Sequence, residues 1–297
     1  MRLIPLFDTN IFGDLQRGLI SRDAWMRVLK KAPGRGWPLS SVTGLELLAA
    51  IDAAPATGFL DVKQRIAAAY SMCNGRILED PRMLLCEEIL HIPFPADRMA
   101  PAGSVIAREM DVVRRGNSIE QLLKGIPYKG RHIKMNATSA ITQVMAGPKR
   151  DWKAAVERMA DEYYPEWREY FKSTGKRIPA EKKRELKPRA TWLSQHAEFI
   201  KSLIQWLHAD ETPVLVEELC KRFDAVLEFT TFISREFLIG NYSLEGHDSD
   251  VFDMYQLQYL AMDRFVIITS DPDLVHRTQH SHQASRIMSF DQFFCTL

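Results

Sequence analysis

Five carboxylates in this 297-residue sequence sit where chain geometry could gather them: Asp8, Glu46, Asp250, Asp253 and Asp271. Asp8 ends the apolar run LIPLF, and Asp271 follows the β-branched run FVIIT. Glu46 falls in the first turns of a helix expected within LSSVTGLELLAAI, after a short strand. Asp250 and Asp253 are three apart at the start of the helix expected in VFDMYQLQYLAM, so both project from one face. In an open parallel sheet, ligands bind in the crevice beyond the carboxyl ends of the strands. Acids at strand ends and helix starts would converge there. Carboxylates crowded into one crevice repel each other, and burial raises their pKa values. Divalent cations remove that conflict, and oxygen-only ligands suit Mg²⁺ or Mn²⁺. Such ions lower the pKa of a bound water, hold a phosphate and stabilise a leaving oxygen. The chemistry this points to is phosphodiester hydrolysis. Each acid also has a plainer reading. Asp8, Asp250 and Asp271 could be helix caps, and Glu46 a solvated residue favoured by the helix dipole.

The elements that must position these residues lie at the two ends of the chain. LIPLF reads as a buried strand, and Ser21 as the cap of a short helix in AWMRVLKKA that stops at Pro33-Gly34-Arg35-Gly36. From residue 58 to 246 apolar residues recur at three- and four-residue spacing, as in DVKQRIAAAY and TWLSQHAEFIKSLIQWL. PVLVEELCKRFDAVLEFTTFISREFLI reads as one helix of about seven turns. The character changes at Gly246. FVIIT is typical of a central parallel strand, and Arg286 to Phe290 could supply another. Strand and helix alternate at both ends, which argues for a parallel sheet with helices on its faces. The expected organisation is one discontinuous α/β domain, residues 1–57 and 247–297, holding a mainly helical insertion, 58–246.

Taken together, LFDTNIF around Asp8, VTGLELL around Glu46 and SDVFDMYQLQYLAMDRFVIITSDPDL around Asp253 and Asp271 resemble the PIN-like nuclease superfamily. The 18-residue interval from Asp253 to Asp271, crossed by a helix and an apolar strand, matches that family's spacing. So does the hydroxyl pair Thr269-Ser270 before the last acid. The resemblance covers about a third of the chain. It implies a three-layer α/β/α fold with a central parallel sheet, and a Mg²⁺- or Mn²⁺-dependent nuclease. Asp8, Glu46, Asp253 and Asp271 take the family's acidic positions. Asp250 is a further metal ligand, Asp273 an auxiliary acid, and Asn10 orients the first Asp. The departure is the long insertion between the second and third acids, which small members lack.

Partners are less well marked. The net charge of +1 selects no partner class, since a basic patch can hide within a neutral total. Residues 149–189 hold 13 Lys/Arg against 8 Asp/Glu, interleaved with Trp152, Tyr163, Tyr164, Trp167, Tyr170 and Phe171. Lys182, Lys183, Arg184 and Lys187 form the most basic part and are candidates for following a phosphate backbone. A solvated loop over core aromatics is the plainer reading. VIAREMDVVRRG with YKGRHIK is a second basic stretch. His276, His280 and His282 follow closely after Asp271, and a four-residue spacing could place two imidazoles on one metal, but no HExxH arrangement is present. No Gly-rich phosphate loop and no Gly-x-Ser-x-Gly elbow occurs. Four scattered cysteines, no signal-peptide pattern and no apolar run of spanning length lead to the expectation of a cytoplasmic protein with no membrane partner. The leading expectation is an endoribonuclease acting on single-stranded RNA, with RNA ahead of DNA. A DNA nuclease and a non-catalytic nucleic-acid-binding or protein-interaction module stay open, as does a protein partner or inhibitor.

Overall fold

A computed structural model describes residues 3–53, 58–98, 102–128, 130–133, 165–175, 192–238 and 249–297, with isolated positions at 100, 150, 153–154, 156–158 and 161. Among these the protein is mostly helical around a small parallel sheet. In chain order, β1 (Ile4–Phe7) is followed by α1 (Thr9–Arg17), α2 (Arg22–Lys30), α3 (Ser41–Ala53) and α4 (Phe59–Cys73). Then come α5 (Pro81–Leu85), α6 (Gly103–Arg115), α7 (Ile119–Lys124) and a two-stranded hairpin, β2 (Ile126–Tyr128) and β3 (Arg131–Ile133). The helices α8 (Pro165–Thr174), α9 (Trp192–Trp206), α10 (Pro213–Arg222) and α11 (Asp224–Leu238) precede α12 (Ser249–Leu257). The chain closes with β4 (Phe265–Ile268), α13 (Pro272–Arg277), β5 (Ile287–Met288) and α14 (Phe290–Cys295).

The main sheet has the order β1-β4-β5, all parallel. Its central strand, β4, is fully buried, as suits a β-branched run in the middle of a parallel sheet. Ile4 pairs with Phe265 and Phe7 with Ile268, so the two chain ends meet in register. The backbone N–H groups of Ile4 and Asp8 donate to the carbonyls of Arg264 and Ile268. Alternation along the strand then turns the amide position of Pro5 away from β4, so its missing donor costs the ladder nothing. On that same outer side the Thr43 hydroxyl donates to the Phe7 carbonyl at 3.1 Å.

The sheet is narrower than the sequence suggests. Leu39, expected to open a strand before Glu46, makes only an isolated parallel bridge to Ile77, and the helix begins at Ser41. That helix, α3, has no polar side. Leu45, Leu47, Leu48 and Ile51 are buried along with Ser41 and Thr43, because α1, α4, α6 and α12 all pack on it. Gly44 permits the approach of α6: a Cβ there would lie 2.6 Å from Ile106 Cγ2. Polar bonds lock α3 to the following region of the second chain end. Ser40 Oγ donates to Gln256 Oε1 at 2.6 Å, and the buried Tyr259 hydroxyl meets Ser41 Oγ at 2.9 Å while donating to the Glu79 carbonyl at 2.7 Å.

The long helix expected from residue 213 to 239 is two helices, α10 and α11, broken at Phe223. The cause lies elsewhere in the chain. Gln283 is wedged at the break, donating to the Arg222 and Leu260 carbonyls at 2.7 and 2.8 Å and accepting from the Ala225 N–H at 3.0 Å. A side chain inserted into the i→i−4 ladder is a recognised origin of such kinks. Among the described residues, all four cysteines are free, and no helix is long and apolar enough to cross a membrane. Because Gln283 serves three backbone groups at once, Gln283→Ala strands buried donors and acceptors. Each unsatisfied group costs about 1–3 kcal/mol. Urea unfolding should register a loss of at least about 2 kcal/mol, whereas a loss under about 0.5 kcal/mol would mean that water replaces the wedge.

Candidate functional site

The last paired residues of β1 and β4 are Phe7 and Ile268, so the next residues of both strands emerge side by side. Asp8 is buried, at 5% exposure, and caps α1 through Thr9 N at 2.7 Å. The capping expectation for it is met, and capping accounts for only one of its oxygens. Its Oδ2 accepts from Asn10 Nδ2 at 2.9 Å and from Thr269 Oγ1 at 2.8 Å. Asn10 in turn accepts the Ser270 N–H at 2.9 Å, and Thr269 Oγ1 accepts the Asp271 N–H at 3.0 Å. Asn10 and Thr269 thus act as a latch that fixes the turn after β4 against the turn after β1. Asp271 caps α13, with Oδ1 accepting the Asp273 N–H at 2.8 Å. Ser270 and Asp273 are exposed and take part through their backbones.

Thr9 links the second acid. Its hydroxyl donates to Glu46 Oε2 at 2.8 Å, tying α1 to α3. Asp253, on α12, accepts no hydrogen bond and no ion pair among the described residues, yet protein encloses it on most sides. The interactions that raise its proton affinity identify its surroundings. After burial itself, these are the charges of Asp8, Glu46, Asp250 and Asp271. Glu46 is pushed up to about 8, first by burial and then by Asp8, with Asp271 adding to the effect. Burial also raises Asp8, against the pull of its hydrogen bonds to Thr269 and Thr9. The charges of Asp8, Glu46 and Asp271 thus all bear on Asp253, and those of Asp8 and Asp271 on Glu46. The fifth, Asp250, is differently placed. It is buried and engaged by Arg277 Nη1 at 3.0 Å, so it influences Asp253 from within an ion pair.

The oxygens left over define what the pocket could hold. Glu46 Oε1, Asp271 Oδ2 and both oxygens of Asp253 have no protein partner among the described residues. Among the described residues no three His, Cys, Asp or Glu side chains stand close enough to enclose a cation as they are. The donor chemistry nevertheless suits one: only hard oxygens, partly free, in surroundings that resist bare negative charge.

Other expected residues fall elsewhere. Lys182, Lys183, Arg184 and Lys187 lie outside the described residues, with Trp152, Tyr163 and Tyr164 of the same basic stretch. Arg168 and Lys172 from that stretch both pair with Asp161, at 2.8 and 3.1 Å. In the second basic stretch Arg108 pairs with Glu109, and Arg114 and Arg115 with Asp111. His282 Nδ1 meets Asp224 at 2.8 Å, and His276 packs edge-on to Phe232, so neither joins the acids. Thr9 escaped the sequence reading, although a hydroxyl directly after the first acid was the available sign. Arg65 escaped it too. It interrupts the apolar stripe Val62, Ala69 and Met72 of α4, and its charge acts on Glu46.

No protein-family model, no curated protein and no solved structure matches this chain.

The raised acids make metal-free stability depend on pH. Glu46 ionises near 4.5 when unfolded and near 8 when folded, so between those values the folded state holds the extra proton. Stability then falls as pH rises across that window, by at most about 1.4 kcal/mol per pH unit for each such proton. A cation must displace the proton, so its stabilising effect grows in the same direction. In EDTA the Tm should fall from pH 6 to pH 8, while the Tm gain from Mn²⁺ should be larger at pH 8. Glu46→Gln should flatten both trends. Parallel pH profiles for variant and wild type would remove Glu46 from the pocket's electrostatics.

Proposed function

We propose that the protein is a divalent-metal-dependent nuclease with a PIN-like catalytic centre, cleaving single-stranded RNA. The observation that carries this reading is the convergence of acids from both chain ends: the β1–β4 register sets Asp8 beside Asp271, Thr9 ties the helix after Asp8 to Glu46, and the charges of all three bear on Asp253. Their free oxygens, on Glu46, Asp253 and Asp271, would hold Mg²⁺ or Mn²⁺ together with Asp8. When bound, such an ion supplies an activated water and neutralises charge on the phosphate. The parallel pairing of β1 with β4 supports the reading, and a three-layer α/β/α architecture is proposed with it.

The chain's own groups divide the remaining work. Asn10 and Thr269 hold Asp8 in a fixed orientation, so that one carboxylate oxygen is spent on the latch and the other keeps a lone pair. Thr9 aims Glu46 by taking one of its oxygens. Asp253, with no hydrogen-bond partner among the described residues, is the acid best able to accept a proton or a cation without breaking an existing bond. Asp271 caps α13 with one oxygen, and the preceding Ser270 N–H is held by Asn10, so the turn that carries Asp271 is fixed against the turn after β1. Such fixed donors and acceptors need no reorganisation during reaction, which is where electrostatic catalysis gains most.

A labelled single-stranded oligoribonucleotide and its DNA counterpart, each with Mn²⁺ or EDTA, test the reading. Cleavage of RNA with Mn²⁺ and none with EDTA is expected. Asp8→Asn and Asp271→Asn should each lower the rate at least about 10³-fold, roughly 4 kcal/mol of barrier, with near-native Tm. Undiminished cleavage by either purified variant would show that the activity, or its site, lies elsewhere. Preferential cleavage of DNA would keep the chemistry and change the substrate.

A further inference from the structure

Arg277 is enclosed where a charged side chain is costly. It ends α13, the short helix that Asp271 caps, and it touches two neighbouring helices. Its Nη1 reaches Asp250 Oδ1 at 3.0 Å, at the start of α12. Its guanidinium also lies 5.7 Å from the ring centre of Phe229, a fully buried residue of α11. Both α12 and α13 pack on α11, and the side chains of the ion pair keep only 12% and 5% exposure. Taking two charges out of water is expensive, and well-packed apolar side chains in their place are often as stable or more so. Fold stability alone gives no reason for this pair.

One turn further along α12 lies a reason. Asp253 follows Asp250 by three residues, so both project from one face, with Cβ atoms roughly 5–6 Å apart. Carboxylates at that spacing suit a pair of divalent ions, which two-metal centres set about 3.5–4 Å apart. The supply of oxygens decides how many ions this pocket serves. Asp8 engages Thr9, Asn10 and Thr269, Glu46 gives one oxygen to Thr9, and Asp271 gives one to its own helix. Glu46 Oε1, Asp271 Oδ2 and the oxygens of Asp253 are left among the described residues. With waters, these suffice for one Mg²⁺ or Mn²⁺, which takes few carboxylates. A second ion would have to draw on Asp250. Arg277 already holds it.

We propose that Arg277 stands in for a second divalent cation, so that the pocket binds one exchangeable metal ion and Asp250 is not among its ligands. A guanidinium is permanently charged and fixed to the backbone, so it neither dissociates nor depends on the supply of ions. Arg277 is thus a positioning residue, which holds Asp250 and cancels its charge beside Asp253. The assignment rests on the metal-centre part of the nuclease reading and sets its ion count. It also gives α13 a task at each end, through Asp271 at its start and Arg277 at its finish.

Mn²⁺ binding reads the count without turnover. Titration of the full chain at pH 8, followed by the paramagnetic resonance signal of unbound Mn²⁺, should give one ion per wild-type chain. Arg277→Gln removes the charge and keeps a polar side chain. It should bind two ions, the second through the released Asp250. Its Tm in EDTA should lie below that of the wild type, because a buried carboxylate has lost its partner. Saturating Mn²⁺ should then raise its Tm by more than it raises the wild type. In the neutral pair Asp250→Asn/Arg277→Gln the count should return to one, with a Kd within about three-fold of wild type.

Two ions on the wild type, or a single ion on Arg277→Gln, overturns the proposal and leaves the metal reading standing. Loss of Mn²⁺ binding by the neutral pair also overturns it, because Asp250 would then be a ligand of the first ion. If Arg277→Gln does not fold even with Mn²⁺ present, the neutral pair carries the test. One ion at wild-type affinity there supports the proposal, and weaker binding overturns it. A wild type that binds no Mn²⁺ sinks the metal reading and this assignment together. The expected counts in a protein that cleaves neither RNA nor DNA would sink the nuclease reading and leave the role of Arg277 intact.

Discussion

Like-charge repulsion among the acids is the constraint around which the rest of the molecule is arranged. Asp8, Glu46 and Asp253 each have their proton affinity raised first by burial and then by neighbouring acids. These are Asp271 for Asp8, Asp8 and Asp271 for Glu46, and Asp8, Glu46, Asp250 and Asp271 for Asp253. Left to themselves, such groups would move apart. They stay because each is mounted on an element fixed by something else: Asp8 by the β1–β4 register, Glu46 by Thr9 and the crowded helix α3, Asp253 by α12. The polar ties Ser40–Gln256 and Ser41–Tyr259 bind the helix of Glu46 to the chain around Asp253. Core packing therefore holds a strained charge distribution in place, as functional sites commonly require.

Much of this was written in local sequence. FVIIT could hardly be anything but a central strand, and an acid directly after such a strand has few places to go. The three-residue spacing of Asp250 and Asp253 correctly put both on one short helix, α12. It could not reveal that Arg277, 27 residues later, would take the first and leave the second bare. Side-chain patterning reports which face is buried. It does not report which partner waits there.

The same limit explains the misplaced features. Residues 213 to 238 carry an unbroken helical pattern, and the break at Phe223 comes from Gln283, a residue remote in sequence and itself unremarkable in type. Leu39 opens the segment LSSV that reads as a short strand after Pro38, but it makes only a single bridge, to Ile77. Arg65 was legible in principle, as a charge inside an apolar stripe. Its bearing on Glu46 depends on the packing of α4 against α3, which no periodicity encodes.

The outer flank of β1 carries one more consequence. Pro5 offers no amide there, and the neighbouring Phe7 carbonyl is already claimed by Thr43. An exposed strand margin with free donors and acceptors invites another polypeptide to join the sheet. Here that invitation is withdrawn at two successive positions, by an imino acid and by a side chain from α3. The acids at the end of β1 therefore sit beside a sheet edge that is closed to a further strand at these two positions.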